Sequence, residues 1–328
     1  MEQELIAQIR QKVGICDNLE LGIGDDAAIL RSKESNTVVT VDLLTEDVDF
    51  EMDLVPPEWI GRKALAVNLS DLAAMAAIPH SIVIAVALPK SNGFNLAQGI
   101  MNGIFPLASE FGVSLAGGDV NSWDGKLVLS ITAIGLVSQF GSFRRSGAQP
   151  GDRILTTGRF GGSILERQFF FLPRIQEAQF LNEHYQIHAA IDVSDGLLLD
   201  LSRLARESCV GFQLFDTQIP IHSDVFALMN KNTEELERIS GGSSFSKAKS
   251  PLTHALEDGE DFELILAVDP SEATRLLTDQ PFRQNGVEMT EIGFFCNSQD
   301  GCCRIDSSGN KTILQQFNGF LHQFRQKG

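Results

Sequence analysis

Aspartate and glutamate recur where apolar segments of the chain meet glycine or another small residue. They do so in both halves of the sequence, within residues 24–28, 41–42, 68–71, 117–119, 192–196 and 259–261. An aspartate that ends an apolar strand costs free energy unless it is paired or binds a metal ion. A single Gly-Asp pair is typical of a turn. The joint occurrence predicts a fold that gathers these acids into one site.

The charge balance limits the partners of such a chain. Its 328 residues include 26 lysines and arginines against 43 acids, a formal net charge of −17. That charge repels phosphate backbones and anionic lipid, so we expect neither nucleic acid nor a membrane as a partner. An anionic ligand would need positive charge, which metal ions supply. Because Mg²⁺ favours carboxylates and substrate phosphates, the acids predict a polyphosphate held by several Mg²⁺ between two domains.

Apolar runs, the N-terminal residues and the cysteine pattern indicate the cellular compartment of the chain. Its longest apolar runs fall short of the ~20 residues that span a bilayer, and the acidic N-terminus is unlike a signal peptide. Five cysteines occur without a Cys-x-x-Cys motif, which predicts neither a disulfide framework nor a zinc site. We therefore expect a cytoplasmic, reduced protein.

Strands and helices alternate along both halves. Pro56 and Pro57 open a long Ala-rich helix, which we expect to run to Ala77 before Pro79 stops it. The segment 113–119 predicts a strand that ends in a turn at Gly117, Gly118 and Asp119. The other predicted elements are strands at 37–42, 81–88, 127–137, 153–157, 189–193 and 262–268, helices at 94–111 and 196–208, a polar loop at 241–251, and two strands and a short helix near the C-terminus.

A shift to Gly, Ser, Pro and Arg over residues 141–150 predicts a domain boundary. We expect one domain over residues 1–140 and a second over 141–328. No clean βαβ period is present, so the fold class is α/β in the broad sense (α+β), with mixed sheets flanked by helices.

The sequence favours neither a dinucleotide-binding site, nor a P-loop, nor a histidine-dependent hydrolase site. Gly22, Gly24 and Ala27 match a dinucleotide-binding pattern, but Asp25 and Asp26 would face the pyrophosphate and no apolar strand precedes them. No lysine lies in a P-loop motif, and none of the six histidines adjoins the acidic motifs.

The acidic motifs resemble those of the thiamine-monophosphate kinases, which belong to the PurM-like ATP-binding superfamily. The similarity runs in family order from about residue 20 to 324, and the stretch 63–75 with its Asn-Leu-Ser-Asp core is its most specific part. The matching segments are 22–28, 41–46, 61–75, 117–119, 145–152, 191–197, 259–264 and 319–320.

The resemblance implies a two-domain PurM-like fold, a homodimer formed by the N-terminal domains, and transfer of the ATP γ-phosphoryl group to thiamine monophosphate. It implies Asp195 and Arg145 as catalytic groups. The implied Mg²⁺ ligands are Asp26, Asp42, Asp71, Asp119, Asp192 and Asp195, with Thr40 beside them. The implied contacts are Gly118, Asp119, Arg145 and Ser194 for ATP, and Asp49, Glu260 and Phe320 for thiamine phosphate. Since the acceptor is already an anionic phosphate, we expect direct in-line transfer without a phosphoenzyme.

The chain departs from the family pattern at several positions. Asp49 replaces a substrate-side histidine, Val120 and Asn121 replace two threonines, and residues 243–250 are an insertion. Two alternatives therefore remain: another ATP-dependent enzyme of the superfamily with a different small acceptor, and a non-catalytic nucleotide-binding homologue. The six aspartates at metal positions argue against the second alternative.

Overall fold

The computed structural model describes residues 2–13, 19–33, 35–231 and 249–320. Within these ranges, none of the helices is both long and apolar enough to cross a bilayer. The helices are α1 (Glu2–Val13), α2 (Pro57–Ala74), α3 (Gly93–Glu110), α4 (Arg167–Phe170), α5 (Ile175–His184), α6 (Leu197–Glu207), α7 (Ser223–Met229), α8 (Pro251–Glu257) and α9 (Pro270–Asp279). Short 3₁₀ helices cover Asp216–Gln218, Arg283–Asn285 and Ser298–Asp300.

The first half of the chain forms a six-stranded sheet. Its strands are β1 (Leu19–Leu21), β2 (Ala28–Leu30), β3 (Thr37–Thr45), β4 (Ile78–Pro89), β5 (Ser114–Trp123) and β6 (Val128–Leu136). Their order is β1-β2-β3-β6-β4-β5, and all neighbours are antiparallel except β4 and β5. Burial alternates strictly along β6, so one face of the sheet is covered and the other is not.

The second half forms a seven-stranded sheet. Its strands are β7 (Arg153–Thr157), β8 (Ile187–Asp192), β9 (Val210–Phe215), β10 (Leu264–Val268), β11 (Met289–Asn297), β12 (Cys302–Ile305) and β13 (Lys311–Ile313). Their order is β13-β12-β9-β11-β7-β10-β8, with only β12 and β9 parallel. Two mixed sheets flanked by helices confirm the predicted fold class. The division into domains at residues 140 and 141 stays a prediction.

Helix α2 lies at the centre of the molecule. Apolar and small residues cover it almost all round, the pattern of a fully buried helix. It packs against α3, β3 and β6 of the first half and against α4, α5 and β8 of the second. Gly61 and Gly103 allow α2 and α3 to approach closely, because a Cβ on Gly61 would lie 2.0 Å from the Ile100 carbonyl oxygen. Helix α2 thus brings residues from both halves together.

The predicted end of this helix is wrong. Helix α2 ends at Ala74, and Ala76 adopts a left-handed φ of 49°. Its end is closed by Ala77 N donating to the Leu72 carbonyl, a Schellman-type bond. Pro79 lies within β4 instead of stopping the helix. The chain therefore reverses through a backbone cap that the sequence pattern did not reveal.

The predicted turn at Gly117-Gly118-Asp119 is also wrong. These residues lie inside β5, which continues to Trp123 and pairs in parallel with β4 on one side only. An edge strand with exposed residues lacks the apolar alternation by which a strand is recognised. Strand β9 was missed, and three strands follow residue 268 instead of two. The predicted loop at 241–251 lies largely outside the described residues, as do the insertion at 243–250 and the C-terminal helix.

Candidate active site

Three carboxylates from distant parts of the chain meet below the first sheet. Asp26 precedes β2, Asp71 lies on the last turn of α2, and Asp192 ends β8. One carboxylate oxygen of each lies within 4.8 Å of those of the other two. Asp26 and Asp192 are buried. Because α2 contacts both halves of the chain, it brings Asp192 of the second half to Asp26 and Asp71 of the first.

Neighbouring groups hold each carboxylate of this triad in place. Arg145 forms a fork on Asp26, with Nη2 to Oδ1 at 2.7 Å and Nε to Oδ2 at 3.1 Å. The Thr40 hydroxyl donates to Asp71 Oδ2, and the Ser70 hydroxyl donates to Asp192 Oδ2 at 2.5 Å. The triad is therefore oriented before any ligand arrives.

The electrostatics of the triad favour a cation. Burial raises the pKa of Asp71 well above its usual value, and the charges of Asp42, Asp192 and Asp26 raise it further. Burial, followed by the charge of Asp26, raises the pKa of Asp192 in the same way. Arg145 offsets one negative charge among several. A divalent cation at the triad would relieve the remaining repulsion.

Asp42 extends the acidic site along β3. Burial raises its pKa to about 6, with further contributions from the charges of Asp49 and Asp195. Its Oδ2 is buried and has no hydrogen-bond partner within the described ranges. The charge of Asp42 acts on Asp71 of the triad, and an unpartnered carboxylate oxygen is a ligand type that a hard metal ion favours. The residues present therefore fit Mg²⁺.

Ser194, predicted to contact ATP, and Asp195, predicted as a catalytic group and Mg²⁺ ligand, form the turn that enters α6. Asp200 accepts from the backbone N–H groups of Asp195 and Gly196 at 2.9 and 3.1 Å, and so caps this helix. Arg203 pairs with Asp195 at 2.5 Å and with Asp200 at 2.6 Å. The Asp195 carboxylate thus already has a cationic partner.

The predicted substrate residue Glu260 lies in the segment 258–263 between α8 and β10, called here the Glu260 loop. Its N–H donates to the Ser194 carbonyl at 2.7 Å, which joins this loop to the α6 turn. Its carboxylate pairs with Lys63 at 2.6 Å. Phe320, 47% exposed, donates its N–H to the Asp195 carbonyl at 2.9 Å. The structure thus brings Glu260, Ser194, Asp195 and Phe320 together.

Asp49 turns its carboxylate into its own backbone turn, residues 45–50, called here the Asp49 turn. Asp49 Oδ2 accepts from Thr45 N at 2.7 Å and from the Thr45 hydroxyl at 3.3 Å. The residue that replaces the expected histidine therefore stabilises the end of β3, and its predicted contact with substrate stays a prediction.

Gly118 and Asp119 are not brought to the triad within this chain. Gly118 and Asp42 lie in one row across the sheet, separated by β6 and β4. Three strand spacings place β5 roughly 14 Å from β3. Asp119 lies on the exposed edge strand.

Several site residues were missed by sequence reasoning. Asp200 is fully buried, and it stands as a lone acid in the apolar run of α6, a signal that could have found it. Asp25 accepts from Arg145 N at 3.0 Å, and burial, ahead of the charge of Asp26, raises its pKa to about 7. Lys63 gave no signal, because its partners come from three separate segments.

Known proteins are similar to this chain over nearly its full length. Residues 24–137 match the family model "AIR synthase related protein, N-terminal domain". The thiamine-monophosphate kinase of Rhodopirellula baltica is 35% identical, covering 98% of this chain and 97% of its own. That of Bacillus subtilis is 32% identical, covering 98% of this chain and 99% of its own.

Solved structures agree with these relatives. The thiamine-monophosphate kinase of Stenotrophomonas maltophilia has a TM-score of 0.67 at 31% identity, covering 92% of this chain and 95% of that one. The structure of AaThiL complexed with AMPPCP and TMP has a TM-score of 0.75 at 23% identity, covering 96% and 94%. At 23% identity, the similarity to AaThiL shows the fold alone.

Proposed function

The chain belongs to the thiamine-monophosphate kinase family, and from this premise we propose that it transfers the γ-phosphoryl group of ATP to thiamine monophosphate. The products are thiamine diphosphate and ADP. The observation that carries the proposal is the buried triad of Asp26, Asp71 and Asp192, assembled from both halves of the chain. Relatives with this activity in their names cover nearly the whole chain, and AaThiL is a protein that binds both an ATP analogue and TMP.

The charges of the site support metal-assisted phosphoryl transfer. Both substrates carry phosphates, whose negative charge must be neutralised. Three cationic side chains described around the site already pair with carboxylates: Arg145 with Asp26, Arg203 with Asp195 and Lys63 with Glu260. We assign Asp26, Asp42, Asp71 and Asp192 to hold Mg²⁺, with Thr40 orienting Asp71. Bound Mg²⁺ supplies neutralisation of the phosphate oxygens, the main requirement of this reaction.

The acceptor side is assigned to Glu260 and Phe320. Thiamine monophosphate carries a cationic thiazolium ring, which suits a partly exposed carboxylate and an exposed aromatic ring. Both residues are tied to the Ser194-Asp195 turn through backbone hydrogen bonds. The thiamine end of the acceptor would therefore lie on the same turn that faces the nucleotide.

The attacking group needs no strong base, because the acceptor phosphate is already anionic at neutral pH. The protein then has to align the two phosphates and neutralise charge. Direct in-line transfer predicts inversion of configuration at a chiral γ-phosphorus. Retention would indicate a phosphoenzyme and overturn this part of the proposal.

A homodimer would complete the nucleotide site. The uncovered face of the first sheet exposes Val41 and Leu43 of β3 and Val83 of β4, and β5 exposes Val120 at the edge. Such an apolar sheet face is typical of an interface. Asp119 of the same chain does not approach Asp42, so a site that uses Asp119 would take it from a partner subunit. Cytoplasmic location also stays a prediction, which the use of ATP favours.

An endpoint assay with several acceptors tests the function. The protein is incubated with MgATP and thiamine monophosphate, thiamine or no acceptor, and the products are separated by chromatography. Equal amounts of ADP and thiamine diphosphate, formed with thiamine monophosphate alone, are expected. ADP without thiamine diphosphate would point to a different small acceptor. ATP binding without turnover would favour the non-catalytic alternative.

A further inference from the structure

The ammonium group of Lys63 is buried at the junction of three chain segments. The side chain lies on the second turn of α2 and is 1% exposed. Its Nζ donates to the Asp49 carbonyl at 2.9 Å, to Gln168 Oε1 at 2.7 Å and to Glu260 Oε1 at 2.6 Å. These three bonds use all the N–H groups of an ammonium. A buried lysine is costly, so this arrangement calls for a function.

Two of the three acceptors belong to segments assigned to the substrate. Asp49 stands where the family carries a substrate-side histidine, and Glu260 is the acid assigned to the thiamine moiety. The third, Gln168, lies on α4. Lys63 therefore fixes the distance between the Asp49 turn and the Glu260 loop, which come from opposite halves of the chain.

The position of the Glu260 side chain depends on this one contact. Its backbone adopts a left-handed φ of 53°, and its N–H is fixed by Ser194. Its side chain is 34% exposed, and Lys63 is the one partner that the described residues give to its carboxylate. One oxygen is thus held by Lys63, while the other is available to a ligand.

We propose that Lys63 is a positioning residue that orients Glu260 toward the thiamine moiety of the acceptor. This inference rests on the proposed function. Lys63 touches neither ATP nor the transferred phosphate in this scheme, because its three donors are already used. Loss of the ammonium frees Glu260 to rotate into solvent, so binding of thiamine monophosphate weakens while ATP binding and the chemical step are kept.

The test compares Lys63→Met, Glu260→Gln and the double variant with the wild-type protein. Methionine fills most of the space of the lysine side chain and removes its charge. For Lys63→Met we expect KM for thiamine monophosphate to rise at least about tenfold, with KM for ATP and kcat within about threefold. The double variant should be no worse than Glu260→Gln, because Lys63 acts through Glu260.

A matched control separates positioning from a general structural effect. Arg174 pairs with Glu263 at 2.5 Å, in the same segment of chain as Glu260, and both side chains are largely buried. Arg174→Met should lower the melting temperature and leave KM for thiamine monophosphate within about twofold. An equal rise in KM for Arg174→Met, or additive effects in the double variant, would overturn the positioning role.

A second variant covers the case in which Lys63→Met does not fold. Gln168→Glu keeps Lys63 paired but draws the ammonium away from Glu260, so it should also raise KM for thiamine monophosphate and leave that for ATP unchanged. No change in KM would count against the proposal. If the wild-type protein forms no thiamine diphosphate in the same assay, the proposed function fails; if it does and Lys63→Met has a normal KM, only the role of Lys63 fails.

Discussion

Replacing Asp71 by asparagine should stabilise the protein without Mg²⁺ and abolish its stabilisation by Mg²⁺. Asparagine has nearly the shape of aspartate, and its side-chain oxygen can still accept from the Thr40 hydroxyl that now donates to Asp71. The substitution therefore removes one negative charge from the triad with little change in packing. In most buried ion sites a lost charge destabilises, so the sign of the effect is informative.

The size of the effect follows from the triad geometry. Its carboxylate oxygens lie within 4.8 Å of one another, and two unit charges at that distance repel by about 3.5 kcal/mol at an effective dielectric constant of about 20. Asp71 has two such neighbours, so repulsion in the fully ionised triad is about 7 kcal/mol at this separation, and Arg145 offsets part of it. The raised pKa values of Asp71 and Asp192 show that protonation relieves part of this repulsion. We expect a gain of about 2–4 kcal/mol at pH 8.

Urea unfolding in EDTA, followed by a Mg²⁺ titration, measures both effects. Mg²⁺ at ten times its Kd should stabilise the wild-type protein by about 1.4 kcal/mol and Asp71→Asn by far less. Asp124→Asn is the matched control, because this exposed aspartate pairs with Lys90 away from the triad. A less stable Asp71→Asn in EDTA, or an undiminished response to Mg²⁺, would refute the electrostatic account of the site.

Three further predictions follow from particular residues. Burial, opposed by Arg167, raises the pKa of Asp261 in the folded protein to about 7, whereas the value in the unfolded chain is about 3.9. Protonation of Asp261 therefore stabilises the fold most below pH 4, and this stabilisation is lost as the pH rises to about 7. Urea unfolding should show wild type losing up to about 4 kcal/mol relative to Asp261→Asn over that range, and parallel pH profiles would contradict this. Gly118→Ala would place a Cβ 2.1 Å from the Ile84 carbonyl oxygen and should destabilise by about 1–3 kcal/mol in chemical unfolding; Gly117→Ala, whose Cβ meets nothing within 4 Å, should be near neutral, and equal effects would count against the close approach of β5 to β4. Mixing inactive Asp71→Asn and Asp119→Asn subunits should restore about a quarter of wild-type turnover if each site takes Asp119 from the partner; no recovery after subunit exchange would argue for a site within one chain.

The acidic residues of the site could be predicted from the sequence more fully than their arrangement in space. Asp71 stood out as an acid in an apolar helix, and Asp192 as an acid after an apolar strand, and the structure brings both to Asp26. Both signals are local, because a buried charge is costly wherever the chain places it. The fold class likewise followed from the local alternation of strands and helices.

Other features depend on contacts between distant segments. Lys63 lies 105 residues from Gln168, so nothing near it in the chain indicates that its ammonium is buried. Asp119 was expected to join the other acids, but a motif does not say on which edge of a sheet its strand will lie. The cap at Ala76 was missed because a left-handed alanine has no sequence signature comparable with glycine.

The most direct test of the function follows one reaction mixture by ³¹P NMR. Protein, ATP and thiamine monophosphate are combined in EDTA, and an excess of Mg²⁺ is then added. The account predicts no change before Mg²⁺, and afterwards the loss of ATP and thiamine monophosphate signals with equal growth of ADP and thiamine diphosphate. Release of inorganic phosphate with thiamine monophosphate unchanged, or turnover in EDTA, would contradict it.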